Sequence, residues 1–350
     1  MSHPILPSNR ACDVREAPSQ SGPTKEDHPV NLPEPSSIDR IGVIGTGTIG
    51  ASWAAYFLAR GMDVQAWDPA TEGEAALRAF VDRAWPTLEG LDAVAGGASP
   101  DRLAFRPGPA EAVHGVGFVQ ESAPEKLEVK RALYADIDAA LPDDVVMSSS
   151  TSGLIMSELQ AGFSNASRFV VGHPFNPPHL IPLVEVVGGD DTDARVVDWS
   201  IDFYNAHGKK AIRLNHEAPG HLVNRLQAAL WREAMDAVLT GLASVEDVDD
   251  AIKYGPGLRL SVMGPFELCH LAGGPEGFSN FLDHFGDALQ HWMDDMRSVE
   301  LTPEVRAKLK SLVARAIGER EFASVANERD TLLLPVLGML ARTRREHGLH

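Results

Sequence analysis

Two residues able to share a proton stand twelve positions apart in this chain, His173 and Glu185. His173 lies in Gly172-His173-Pro174-Phe175-Asn176-Pro177-Pro178, and Glu185 in Pro182-Leu183-Val184-Glu185-Val186-Val187. A carboxylate inside an apolar strand is costly unless something pairs with it. His173 is the obvious partner: a carboxylate on one ring nitrogen fixes the tautomer and stabilises the protonated ring. Taken alone, His173 reads more readily as a satisfied structural histidine. Beside Glu185 and a dinucleotide loop, it reads as a general base.

That loop is Gly45-Thr46-Gly47-Thr48-Ile49-Gly50, a G-x-G-x-x-G run between an apolar strand and a helix. Gly45 suits the tight turn, Gly47 lets the backbone approach a pyrophosphate, and Gly50 lets helix and strand pack closely. The free N–H groups at the helix start would face the phosphates. Asp68 ends the next strand, 18 residues beyond Gly50. It can accept hydrogen bonds from both ribose hydroxyls and would repel a 2′-phosphate. Residues 69–77 hold no Lys or Arg to welcome one. NAD is therefore expected over NADP.

These groups need a scaffold, and the apolar pattern supplies one. Strands are expected at 41–44, 64–67, 117–120, 145–147, 169–171 and 184–187, with helices at 50–60 and 125–141. The alternation predicts a Rossmann-type α/β domain, a doubly wound parallel sheet wrapped by helices. From about residue 216 helical spacing replaces it: 219–241, 265–271, 278–296, 303–317 and 328–340. Ser244 with Asp247 resembles a capping box. The expected organisation is a disordered arm at 1–38, carrying seven prolines, an NAD-binding domain at 39–215 and an all-helical domain at 216–345.

With these motifs in one order, the chain resembles the 3-hydroxyacyl-CoA dehydrogenase superfamily from about residue 39 to residue 340. Further matching stretches are Ser149-Ser150-Thr151-Ser152-Gly153-Leu154, Pro219-Gly220-His221-Leu222-Val223-Asn224-Arg225 and Met263-Gly264-Pro265-Phe266. Within it the chain is similar to the bacterial L-carnitine dehydrogenases, in Trp67-Asp68-Pro69-Ala70, Gln120-Glu121-Ser122-Ala123-Pro124-Glu125 and Ala229-Leu230-Trp231-Arg232-Glu233-Ala234. The resemblance implies that His173 takes the proton of a secondary alcohol, with Glu185 orienting it. Ser152 would bond the reacting oxygen, and Asn224 would stand beside the histidine. Glu121, Lys126 and Asn176 match positions near the ribose and nicotinamide of NAD. Bland readings stay open: Ser152 as a helix cap, Asn224 as a tie between domains. Oxidation needs a neutral imidazole, so activity should rise as His173 deprotonates.

Charge bears on the substrate. The chain has 31 Lys plus Arg against 49 Asp plus Glu, a formal net charge of −18 over 350 residues. That excess argues against nucleic acid and against anionic membrane surfaces. The resemblance places part of a coenzyme A surface on the hairpin after the second strand. Here residues 70–103 carry three arginines and six acids, the wrong sign for CoA. A quaternary ammonium suits that field better, held on aromatic faces. Trp231 and Phe266 are candidates for such a face, and Arg259 for a substrate carboxylate. Leu260 and Val262 stand where the carnitine branch tends to have aromatics, and Asn176-Pro177-Pro178 is similar to the lambda-crystallin and L-gulonate 3-dehydrogenase branch.

The expected reaction is NAD-dependent oxidation of the 3-hydroxyl of L-carnitine to 3-dehydrocarnitine. The alternatives are another small 3-hydroxy acid, 3-hydroxybutyryl-CoA, or a crystallin-like structural NAD-binding protein. Cys12 and Cys269 make no disulfide framework and fit a reducing cytoplasm. No apolar run is long enough to span a membrane, no ligand spacing points to metal, and the apolar helices suit a homodimer.

Overall fold

The structure, a computed structural model, describes residues 31–348. Eight strands form one sheet: β1 (Arg40–Ile44), β2 (Asp63–Trp67), β3 (Leu103–Phe105), β4 (Phe118–Glu121), β5 (Val146–Ser149), β6 (Phe169–Pro174), β7 (Leu183–Gly188) and β8 (Lys210–Arg213). Their spatial order is β3-β2-β1-β4-β5-β6-β7-β8. Strands this short and apolar are stable because helices cover both faces. On one face lie α1 (Thr48–Ala59), α2 (Gly73–Gly90) and α6 (Ala194–Ala206), anchored by Trp53, Phe57, Leu77 and Phe203. On the other lie α3 (Pro109–Val113), α4 (Leu127–Asp138) and α5 (Met156–Gln160), anchored by Val113, Tyr134 and Leu159. Helix α1 is apolar all round, and its residues 50–59 are buried throughout.

The order reverses between β1 and β4, which opens a crevice at their carboxyl ends. The sheet differs from the wholly parallel expectation at one pairing. β6 and β7 run antiparallel, with His173 opposite Glu185. Only residues 175–182 join them, fewer than the dozen or more that a parallel crossover needs. Strands β3 and β8 were not expected; they are edge strands of only three and four residues.

Beyond β8 the chain is helical: α7 (Val223–Thr240), α8 (Val245–Tyr254), α9 (Pro256–Leu260), α10 (Pro265–Ala272), α11 (Gly277–Asp295), α12 (Pro303–Ile317) and α13 (Phe322–His347). The Ser244–Asp247 capping box starts α8. Helix α7 begins later than position 219 because Gly220 and His221 have φ of 77° and 51°, outside helical backbone. Of the arm expected at 1–38, residues 1–30 lie outside the described residues. Residues 32–38 are docked on the sheet domain: Leu32 packs on its core, Trp199 Nε1 donates to the Pro33 carbonyl at 2.6 Å, and Ile38 is buried.

Candidate active site

The dinucleotide loop is built by contacts that exclude side chains. Gly45 has φ 84°, and a Cβ there would sit 2.8 Å from the Ser122–Ala123 backbone. A Cβ on Gly50 would collide with the Gly45 carbonyl oxygen. At Gly47 a Cβ would meet nothing within 4 Å, so this backbone faces the open crevice. Thr46 N–H donates to Asp68 Oδ2 at 2.7 Å and Ala70 N–H to Oδ1 at 2.9 Å. Each carboxylate oxygen keeps a further lone pair for a ribose hydroxyl. A cleft of about 610 Å³ adjoins them, lined by Gly45, Gly47, Trp67, Asp68, Ala123 and Val129 among others, with no Lys or Arg in its wall. Thr48 and Ile49 follow as the first turn of α1, where unpaired N–H groups gather. The residues present fit NAD.

Glu121 ends β4 fully buried, and the protein itself uses its carboxylate. Lys130 Nζ lies 2.7 Å from Oε1, and Tyr134 and Ser149 hydroxyls donate to Oε2 at 2.8 and 2.6 Å. Burial and the Glu121 charge push the Tyr134 hydroxyl well above the usual phenol range. Lys130 also donates to the Ala123 carbonyl at 3.0 Å. This buried group props the 122–124 segment at the crevice. Lys126 stands at the N-terminal boundary of α4 without a side-chain capping bond, and Asn176 lies exposed on the loop after β6.

The proton-handling pair stands in the next strands. His173 Nδ1 lies 2.8 Å from Glu185 Oε2, and both side chains are nearly sealed. Leu222 and Val223 N–H groups donate to Glu185 Oε1 at 2.9 Å each. Burial alone would raise the Glu185 carboxyl; the His173 bond and those two N–H groups outweigh it and hold it below its ordinary value. With Nδ1 engaged, Nε2 is the ring nitrogen left for a ligand. Asn224 Nδ2 donates to the Ser152 carbonyl at 3.2 Å, so Asn224 ties α7 to the Ser152 segment. Ser152 itself is exposed.

Three further groups stand around this site, none of them assigned a role from the sequence. Glu125 Oε1 accepts from Thr151 Oγ1, Ser152 N and Gly153 N at 2.7–2.9 Å, fixing the Ser152 segment. His179 joins α1 through Ser52 Oγ, 2.7 Å from its Nδ1; burial and then the Lys209 charge push its pKa down to about 4. Lys209 donates to the Pro178 and Ile181 carbonyls and lies over the Tyr56 ring. Burial drives its pKa well below the usual lysine range.

The structure thus brings His173, Glu185, Ser152 and Asn224 into one connected group beside the dinucleotide crevice. It does not tie the other candidates to it. Among the described residues no hydrogen bond, ion pair or ring contact joins Arg259, Trp231 or Phe266 to those four. Phe266 instead meets Phe278 edge-on at 6.0 Å, at one end of an aromatic row on α11.

Comparison with known families decides the kinship. Residues 40–217 match the 3-hydroxyacyl-CoA dehydrogenase NAD binding domain, and residues 220–306 match the C-terminal domain of the same family. The chain belongs to the 3-hydroxyacyl-CoA dehydrogenase family. As a member it is an NAD-dependent dehydrogenase acting on a CH–OH group of a small molecule. It is 47% identical over 311 residues to an L-carnitine dehydrogenase of Streptomyces coelicolor, covering 89% of this chain and 98% of that one. A Pseudomonas aeruginosa L-carnitine dehydrogenase is 44% identical over 313 residues, covering 89% and 97%. The solved structure of 5-formyl-3-hydroxy-2-methylpyridine 4-carboxylic acid 5-dehydrogenase, an NAD⁺-dependent dismutase, superposes with a TM-score of 0.75. It is 28% identical, over 87% of this chain and 98% of that chain. Among the described residues, no helix is long and apolar enough to cross a membrane.

Proposed function

We propose that the protein oxidises the 3-hydroxyl of L-carnitine to 3-dehydrocarnitine, with His173 as the general base. The observation that carries the substrate reading is the charge state of the hairpin around α2. Of its three arginines, Arg78 is tied to Glu74 at 2.8 Å and Arg102 to Asp63 at 2.9 Å. That leaves Arg83 as the one hairpin arginine without an ion pair among the described residues, too little positive field for a multiply charged CoA ester. The L-carnitine dehydrogenases among the relatives support L-carnitine as the specific substrate.

The roles we assign are supported by the site's contacts or, for Arg259, Trp231 and Phe266, by residue chemistry alone. Gly45, Thr46, Gly47, Thr48, Ile49 and Gly50 hold the pyrophosphate of NAD, and Asp68 holds its adenosine ribose. Lys126 and Asn176 border its other half. Bound NAD supplies the hydride acceptor. Ser152 Oγ hydrogen-bonds the substrate hydroxyl while His173 Nε2 accepts its proton. Glu185 keeps the Nδ1–H tautomer and stabilises the imidazolium that forms. Glu121 acts from beneath, by holding the 122–124 segment. Arg259 takes the substrate carboxylate, and Trp231 and Phe266 offer apolar faces to its cationic end.

A second reading, another small 3-hydroxy acid of the L-gulonate kind, is favoured by Leu260 and Val262, which replace aromatic lining. NADH formation with L-carnitine, L-gulonate and 3-hydroxybutyryl-CoA separates the readings. L-carnitine should give the highest kcat/KM; signal with the CoA ester alone would overturn the charge argument. We also propose that the working form is a cytoplasmic homodimer paired through the helical domain.

A further inference from the structure

His221 is a buried histidine that neither the proton transfer nor the cofactor uses. Its ring lies 5.1 Å from the His173 ring, centroid to centroid. Nε2 lies 3.0 Å from the Thr151 carbonyl oxygen. A carbonyl can only accept, so Nε2 carries the hydrogen and Nδ1 is a bare lone pair. That Nδ1 is buried without a partner. The residue also holds a φ of 51°, a conformation a non-glycine side chain rarely adopts. Retention of both features asks for an explanation.

The neighbours of His221 provide one. Four consecutive residues, 221–224, touch both halves of the site: His221 holds the Thr151 carbonyl, Leu222 and Val223 hold Glu185, and Asn224 holds the Ser152 carbonyl. The left-handed turn at residues 220–221 aims the His221 ring inward just before α7 starts. We propose that His221 is a positioning residue: as a neutral ring it locks the segment carrying Ser152 in register with the His173–Glu185 pair. The inference rests on His173 being the proton acceptor. It assigns His221 no contact with substrate.

Neutrality is part of the role. A second positive ring 5.1 Å away would oppose the imidazolium that His173 must form. The charged or titratable groups acting on His221 are His173, Glu185 and Glu125. Burial outweighs the two carboxylates and holds the His221 pKa below its ordinary value. His221 is therefore held toward its neutral form beside the proton-accepting ring.

The test compares the full-length parent, His221→Phe and His221→Gln. Phe keeps bulk and removes the donor; Gln keeps an N–H of similar reach and cannot titrate. His221→Phe should lower kcat by about ten- to a hundredfold through misplacement, with NAD affinity unchanged. His221→Gln should restore most of that loss and keep the parent's rise of activity with pH. Amide hydrogen exchange supplies a readout independent of turnover: it should quicken at residues 151–153 in His221→Phe and not in the phosphate loop. A parent inactive toward every alcohol tested would refute the substrate reading, while the exchange data would still decide the positioning role. An unchanged kcat or unchanged exchange in His221→Phe would overturn the proposal. So would a Gln variant as slow as Phe, or one that loses the pH rise.

Discussion

His173 and Glu185 are register partners across the antiparallel β6–β7 pair, which sets Nδ1 of one 2.8 Å from Oε2 of the other. Opposed residues on such a pair project from the same face, so the strand register itself delivers the contact. The glutamate is in turn fixed by two backbone N–H groups just before and at the start of α7. The pair is thereby set by backbone on both sides.

Glu185→Gln tests the tautomer. The amide oxygen would keep the Leu222 and Val223 bonds, turning its NH₂ toward His173 Nδ1 and moving the ring hydrogen to Nε2. A base so protonated cannot accept the alcohol proton, and kcat should fall by about 10²–10⁴-fold. Acid stability should change as well. The folded carboxyl lies below its ordinary value of 4.5, so its contribution is complete above that value and is lost as pH falls through the lower folded value. The variant should show a flatter acid limb in urea denaturation between those two values; an unchanged limb would contradict the coupling.

Asp68→Ala removes an acceptor from Thr46 N–H as well as from the ribose. NAD affinity should weaken by about 10- to 100-fold, read by fluorescence titration, without a gain of NADP. Unchanged NAD affinity would count against the cofactor assignment.

Lys130→Met leaves the Glu121 charge buried without its cation. Such half-broken pairs cost about 3–5 kcal/mol, so the denaturation midpoint should drop well beyond that of a surface lysine variant. A neutral effect would show that the Tyr134 and Ser149 hydroxyls suffice.

The helical domain leaves its apolar side chains uncovered. Apart from Val129, the large exposed apolar residues among those described lie from Leu222 onward, with Leu226 at 58% and Phe266 at 74% exposure. Burying each fully would contribute about 1.5–3 kcal/mol, which favours a second copy covering part of this surface. Sedimentation velocity should give a dimer, and Leu226→Asp should shift it toward monomer. A monomer at all concentrations would contradict the dimer.

The phosphate loop, Asp68 and most of the sheet were legible because each rests on a local pattern: glycines at fixed spacing, or an apolar run between breakers. The antiparallel direction of β7 was missed: apolar periodicity carries no direction, and only the shortness of the 175–182 connection signals it. Glu125 and His221 were not, since their partners stand 26–28 and 70 residues away. For Trp231, Phe266 and Arg259 the local pattern alone selects no role. An apolar stripe at helical spacing looks the same whether it faces substrate, core or a second subunit.

The central claim is that His173 accepts the substrate proton, and His173→Gln tests it most directly. NAD affinity should be unchanged and turnover reduced by about 10²-fold or more. NADH formation at the parent's rate in the His173→Gln enzyme would contradict it.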